Sequence, residues 1–325
     1  MITPRRLAVL GIAAVIAVAA AGWFASRRTV PTDAPTGNLV LPALKARIDA
    51  VTAVRLAAKG ANVTLERSGK DWIVKERDYP ADTAKLRKLL LGLADLTVTE
   101  QKTRDPANYA QLGVEDAGTS ATGMAIEVDT ADRKFSLLEG KAAGGTGSFV
   151  RLPGDAQALL ASPQIAADTD PKHWIDTALA DLPADRVQAL EVTPATGPAW
   201  RATRDAAKDP LALVALPKGK KQRGADVVTP VAALFTGLHM QDVRAAPAGN
   251  PPLKPRVVVR SFDGLEIDLT GREDGDHRYI RGTARATGNA AAKEAAALEG
   301  KLRGREFEIP RYKYDALFRA LSDFT

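Results

Sequence analysis

The sequence predicts an α+β fold: an N-terminal transmembrane helix, then two tandem repeats, each an antiparallel sheet covered by an amphipathic helix. Three observations carry this. Short runs of β-branched and bulky residues alternate along most of the chain, punctuated by turn residues. The stretch Asp71–Thr103, DWIVKERDYPADTAKLRKLLLGLADLTVTEQKT, reads as strand, turn, helix and strand, and a looser copy of that order returns about 140 residues later. Leu7–Phe24 is a run of eighteen residues without a charge.

As a helix that run spans roughly 27 Å, close to the ~30 Å hydrocarbon core of a bilayer. Trp23 and Phe24 stand where interfacial aromatics anchor a span. Ala19-Ala20-Ala21 also offers a signal-peptidase-like site, so residues 1–28 are a membrane anchor or, in the rival reading, a signal peptide. The uncleaved anchor is preferred, with the short amino end inside and the body outside. Residues 29–47 form a tether; its Pro-containing part, Thr29–Asn38, reaches at most about 35 Å.

The first repeat covers residues 48–168. Val51–Leu56, Val63–Glu66 and Trp72–Val74 alternate as half-buried strands of a meander, with Lys59-Gly60 as the first turn. Pro80 suits a helix entry, and Leu86, Leu89, Leu90, Leu93 and Leu96 follow the spacing of one buried face. Gly92 inside that helix costs about 1 kcal/mol against Ala, which a close helix–sheet contact would justify. Leu96–Thr99 resumes a strand, Tyr109–Asp116 is a short helical turn and loop, and Met124–Val128, Lys134–Leu138 and Ser148–Leu152 are further strands. Residues 169–186 are a bridge. The second repeat, 187–325, restarts with Val187–Val192. Ala212–Leu216 stands for the tryptophan strand, Val227–Leu238 for the helix, and Val257–Arg260, Leu265–Leu269 and Tyr279–Arg281 for the late strands. Ala286–Gly300 is a surface helix ending at Gly300 or a loop, Phe307–Ile309 closes the sheet before Pro310, and Tyr312–Leu321 is a terminal helix.

The formal charge of +6 is concentrated at the amino end. Arg5, Arg6, Arg27 and Arg28 frame the apolar run; the rest carries 41 basic against 39 acidic residues, which is no nucleic-acid footprint. There is no cysteine, so disulfides and thiolate chemistry are excluded. The three histidines have no zinc-motif spacing, no nucleophile elbow exists, and no carboxylate spacing singles out an acid–base pair. Glu273–Asp276 reads as a hairpin turn and Gly140–Gly147 as a hairpin loop, since its lysine precedes the glycines instead of following them. No catalytic residue, cofactor or metal is assigned. The aromatics Trp72, Tyr79, Tyr109 and Trp174 read first as core, as large aromatics in a low-aromatic chain usually do, and are otherwise the candidates for a partner or glycan surface. Lys218, Lys220, Lys221 and Arg223 form the one compact basic run of the body, either a solvated loop or a contact for anionic headgroups or an acidic partner.

DWIVKERDYPADTAKLRKLLLGL, then EQKT, YAQLGVED, DPKHWID and DLPADRV resemble the bacterial family called domain of unknown function 4340. The similarity runs over nearly the whole chain and is weaker after Trp200. It implies one N-terminal membrane helix and an accessory role in an export or envelope system, because many such proteins are encoded beside ABC-2-type transporters and gliding-motility-type auxiliary proteins. It carries over no catalytic residue. The expectation is a single-pass inner-membrane protein, held through Leu7–Phe24 with its body in the periplasm. It would act as a non-catalytic accessory to other envelope or transporter proteins and would bind no nucleic acid. The alternative is a periplasmic binding module for a glycan, lipid or small envelope ligand between the two repeats.

Overall fold

The computed structural model describes residues 37–116, 118, 121–249 and 254–325. The anchor expected at Leu7–Phe24 lies outside the described residues, and among them no helix is long and apolar enough to cross a membrane.

The fold is mixed α+β, with mostly antiparallel sheets and few helices. In chain order the first set of elements is β1 (Val51–Ala58), β2 (Ala61–Ser68), β3 (Asp71–Val74), β4 (Tyr79–Pro80), α1 (Thr83–Ala94), β5 (Thr97–Gln101), α2 (Tyr109–Leu112), β6 (Met124–Thr130), β7 (Lys134–Ala143), β8 (Gly147–Arg151) and β9 (Ala158–Ser162). Then come β10 (Ala178–Ala180), β11 (Val187–Thr193), β12 (Trp200–Thr203), β13 (Ala212–Val214), α3 (Thr229–Ala233), β14 (Leu238–His239), β15 (Asp242–Ala245), β16 (Arg256–Ser261), β17 (Leu265–Asp274), β18 (His277–Ala286), α4 (Ala292–Leu302), β19 (Arg305–Glu308) and α5 (Arg311–Leu317).

One sheet runs β4-β3-β2-β1-β6-β7-β8-β9-β5 and another β13-β12-β11-β16-β17-β18-β19-β15, while β10 and β14 form a separate pair. Apart from β4, the two large sheets have the same wiring. In each, three strands lead outward, the chain returns beside the first of them, and the strand after the outward trio ends up on the far edge.

The chain divides into two compact units. Of the described residues, one comprises those up to Val51, Leu56–Gly60 and those within Lys88–Ala167; the other comprises Thr52–Arg55, Ala61–Arg87 and those within Asp168–Thr325. The second unit therefore includes the DYPAD motif as well as everything from the bridge onward.

In the first unit the YAQLGVED motif is explained by close packing. Tyr109 caps a buried cluster with Val114 and Ala158, and its hydroxyl donates to Ala156 O at 2.6 Å. The turn after α2 lies directly on the β6–β7 hairpin: a Cβ at Gly140 would stand 2.1 Å from Leu112 O, and one at Gly123 1.9 Å from Gly113 O. Arg151, 3 % exposed, fills the remaining space. It donates to Val114 O at 2.8 Å and Asp155 O at 2.9 Å, so a buried charge is held by full hydrogen bonding.

In the second unit β17 shows why one face is covered. Leu265, Ile267 and Leu269 are buried on one side and alternate with Glu266, Asp268 and Thr270 on the other. Helix α4 packs against β17 and β18 with Ala295, Leu298 and Leu302 buried. It runs through Gly300 rather than ending there and is no mere surface helix. The helix expected over Val227–Leu238 is reduced to α3. Its apolar residues Val228, Val231, Phe235 and Leu238 are buried as the spacing requires, but Gly237 turns to φ +57° and Leu238–His239 leaves to pair with β10.

Gly92 sits in α1 with open space where a Cβ would be, so no close contact demands a glycine there. Gly92→Ala is therefore expected to raise stability by about 0.5–1 kcal/mol. Gly140→Ala is expected to lower it by about 1–3 kcal/mol through overpacking. Urea unfolding of the two variants measures both signs.

Candidate functional site

The second unit contains a cleft of about 750 Å³ lined by Asp82, Lys85, Asp168, Lys172, His173, Ile175, Thr177, Met240, Gln241, Asp242, His277 and Glu308. It is built by two distant sequence motifs that clasp each other. Ala81 of DYPAD and Ile175 of DPKHWID form an antiparallel bridge. Asp82 N donates to Trp174 O at 2.7 Å and Asp176 N to Pro80 O at 2.8 Å.

The clasp fixes the first turn of α1. Asp82 Oδ1 accepts from Lys85 N at 2.9 Å, an N-cap that satisfies one of the helix's free amides. Lys85 Nζ then reaches back over the Trp174 ring at 4.4 Å and donates to His173 O at 2.9 Å and Asp168 Oδ2 at 3.4 Å. Trp174 is fully buried and its Nε1 donates to Asp168 O at 2.9 Å. Asp170 caps the short turn Pro171–His173 by accepting from Lys172 N.

The opposite wall comes from β15, β18 and β19. Arg77 donates to both carboxylate oxygens of Asp242 at 2.7 and 2.9 Å, and the hydrogen bond to Asp242 raises the Arg77 pKa above its ordinary value. His277 Nδ1 lies 2.7 Å from Glu308 Oε1, and His173 Nδ1 lies 3.1 Å from Asp168 Oδ1. His277 stacks on Tyr279 with centroids 6.1 Å apart.

Each carboxylate of the cleft has a cationic, imidazole or amide partner. The two histidine–carboxylate pairs orient imidazoles, and among the described residues the histidine that a hydroxyl approaches is His239, whose Nδ1 lies 3.2 Å from Thr177 Oγ1. Among the described residues no group of three or more His, Asp or Glu is placed to hold a metal ion. The arrangement offers alternating positive and negative groups around an open, polar space. That suits binding of a charged or zwitterionic segment.

None of the aromatic and basic residues singled out in the sequence lines this cleft. Tyr79 and Trp174 are fully buried and Tyr109 nearly so, which leaves their rings in the core and not on a surface. Tyr79 packs edge-on to Phe307 at 6.0 Å, and burial pushes its hydroxyl up to about 12. Tyr109 lies under the Arg151 guanidinium at 4.4 Å. Trp72 is half-buried, with Arg67 5.8 Å above its ring. Lys218, Lys220, Lys221 and Arg223 are exposed; Arg223 Nε donates to Thr325 O at 3.0 Å and its backbone N to Phe324 O at 2.9 Å, so it ties down the carboxyl end. Sequence reasoning judged the histidines, His173 and His277 among them, by motif spacing alone and left out Asp168, Lys172, Asp242 and Glu308. The signal available was that DYPAD and DPKHWID, both distinctive, contribute residues to one cleft.

The family model of the domain of unknown function DUF4340 matches residues 72–253. The chain belongs to that family. The match takes in the whole clasp of this DUF4340 protein, from Trp72 through Asp176, and β15 of the opposite wall, while β18 and β19 lie beyond it. No curated protein matches the chain, and no solved structure does.

One titratable group of the first unit stands apart from the cleft. Glu139 on β7 is 7 % exposed; Ser148 Oγ donates to its Oε1 at 3.2 Å, and its Oε2 has no partner. Burial pushes this carboxyl up to about 7. Because the folded chain then holds a proton that the unfolded chain releases, Glu139 contributes stability at low pH, and that contribution is lost as pH rises from about 4.5 through about 7. Glu139→Gln is expected to be more stable than the parent at pH 8, by on the order of 1–3 kcal/mol, and the difference shrinks towards pH 4.5. Urea unfolding at a series of pH values tests this; a pH-independent difference contradicts it.

Proposed function

We propose that this DUF4340 protein is a membrane-held accessory of a bacterial envelope or ABC-type export system, and that it works by binding another protein rather than by catalysis. In this reading Leu7–Phe24 is a single inner-membrane span and the body lies in the periplasm. The two identically wired sheets are then tandem copies of one helix-covered unit. The observation that carries the proposal is the cleft itself. The two most distinctive family motifs are spent on clasping each other, and the side chains left over form an open rim of paired charges. Such a rim gives register and specificity to a polar docking segment. The reading draws further support from the family resemblance, which implies a place beside transporter components.

A second reading keeps the same cleft and changes the guest. Its volume of about 750 Å³ falls within the roughly 300–1,000 Å³ typical of small-molecule sites. A glycan, lipid headgroup or other small envelope ligand would also fit there.

A photoreactive residue at Lys172, on the rim, separates these readings in native membranes at native expression. The docking proposal expects a crosslink to a transporter membrane component, lost when His277→Glu places a second acid beside Glu308. Recovery of the protein without any crosslinked partner overturns it. A retained small-molecule mass in native mass spectrometry of that uncrosslinked protein then favours the second reading.

A further inference from the structure

The uncovered face of the second large sheet is a ladder of charge. Strand register sets Arg256, Thr270 and Arg281 on one rung of β16, β17 and β18, and Arg244 stands opposite Glu306 on β15 and β19. Glu306 is fully buried by the guanidinium groups around it. It accepts from Arg244 Nε at 2.6 Å, Arg272 Nη2 at 2.7 Å and Arg281 Nε at 3.2 Å. Burial works to raise its pKa, but the hydrogen bonds from Arg272 and Arg244 outweigh burial and hold it below the ordinary carboxylate range. Four guanidinium groups, of Arg244, Arg256, Arg272 and Arg281, are thus joined to three carboxylates, of Asp268, Asp274 and Glu306, leaving an excess of one positive charge.

That excess is placed at a cavity. Below the Arg256–Thr270–Arg281 rung, β19 pairs with β18 only at Tyr279 and Ile280, and the strands then part. The gap opens a cleft of about 650 Å³ whose walls include Arg256, Thr270, Arg281 and Thr283, with Leu302 and Pro247 as apolar surface. Arg281 is 14 % exposed. Its Nε is held by Glu306, whereas neither Nη group has a protein partner among the described residues. Asp268 also lines the cleft, but both its oxygens are taken by Arg256, at 2.8 and 2.5 Å. The paired acid therefore does not quench Arg281.

We propose that this cleft binds a phosphate group, free or esterified. The Nη1–Nη2 edge of Arg281 offers two parallel donors that match two phosphate oxygens. Arg256 Nη1 and the hydroxyls of Thr270 and Thr283 supply further donors, and Leu302 with Pro247 accommodates the organic part of an ester. Glu306 is a positioning residue: by holding Nε it turns the fork of Arg281 towards the cavity. The proposal concerns a different cleft from the docking site and stands independently of it.

The test uses the full chain in detergent and three probes: inorganic phosphate, dihexanoyl phosphatidylglycerol and, as a control, sodium chloride at matched ionic strength. A ligand that binds only the folded state raises the unfolding midpoint as its concentration passes Kd. Phosphate is expected to give a saturable rise that chloride does not. Arg281→Lys keeps the charge beside Glu306 but lacks the fork, and is expected to weaken phosphate about tenfold. Thr270→Val, which leaves all the ion pairs in place, should weaken it by a smaller factor and guards against a folding defect in the first variant. Tighter binding of dihexanoyl phosphatidylglycerol than of phosphate identifies a lipid headgroup as the source; equal or weaker binding identifies a soluble phosphate. No saturable effect of either probe, an equal effect of chloride, or unchanged binding in both variants overturns the site.

Discussion

Two backbone hydrogen bonds join the two segments that build the charged cleft, those between Asp82 N and Trp174 O and between Asp176 N and Pro80 O. A backbone hydrogen bond adds only about 0.5–1.5 kcal/mol net, but a buried amide left without one costs about 1–3 kcal/mol. The clasp is flanked by buried Tyr79, Ala81, Trp174 and Ile175, so losing its bonds would also disturb the packing around it. Everything around the charged cleft then follows. The clasp sets Asp82 as the cap of α1, the cap sets Lys85, and Lys85 is drawn over the indole to His173 and Asp168. A protein with only 5 % aromatic residues spends two of its largest on covering this joint.

The second sheet shows the same economy on a larger scale. Its apolar face is packed against α4, and its other face carries mostly charged and polar side chains along β17 and β18, with Val258 and Tyr279 buried among them. Buried carboxylates are costly unless fully paired. Glu306 meets that condition with three arginines, and Glu266, 5 % exposed, is paired with Arg260 and Arg285. The long arginine stems cover the sheet while their charged ends remain at the surface. A face built this way resists unwanted association with other sheets and still offers guanidinium edges to anions.

Much of the fold was legible in the sequence. β1, β3, β16 and β17 stand where β-branched alternation placed them, and the chain is mixed α+β with mostly antiparallel sheets, as the density of strand signals implied. The strands that sequence reasoning passed over were short, Ala-rich or charged: β9 is ALLAS, β12 is WRAT and β15 is DVRA. Their strand state comes from partners far away in sequence, and local pattern does not carry that information. The same limit explains α3: burial spacing at Val228, Val231 and Phe235 looked like a full helix, whereas pairing of Leu238–His239 with β10 cut it short. The cleft was legible only as motifs. DYPAD and DPKHWID were visible as distinctive strings, but their meeting is a tertiary event. The burial of Tyr79 and Trp174 fits the core reading of large aromatics in a low-aromatic chain, but nothing local shows that their two segments meet.

The clasp is the claim on which the site depends, and amide hydrogen exchange measures it directly. If it closes the cleft as described, the amides of Asp82 and Asp176 exchange as slowly as those of the β17–β18 ladder, and together. Exchange of both at the rate of exposed loops, with the ladder still protected, would contradict the account.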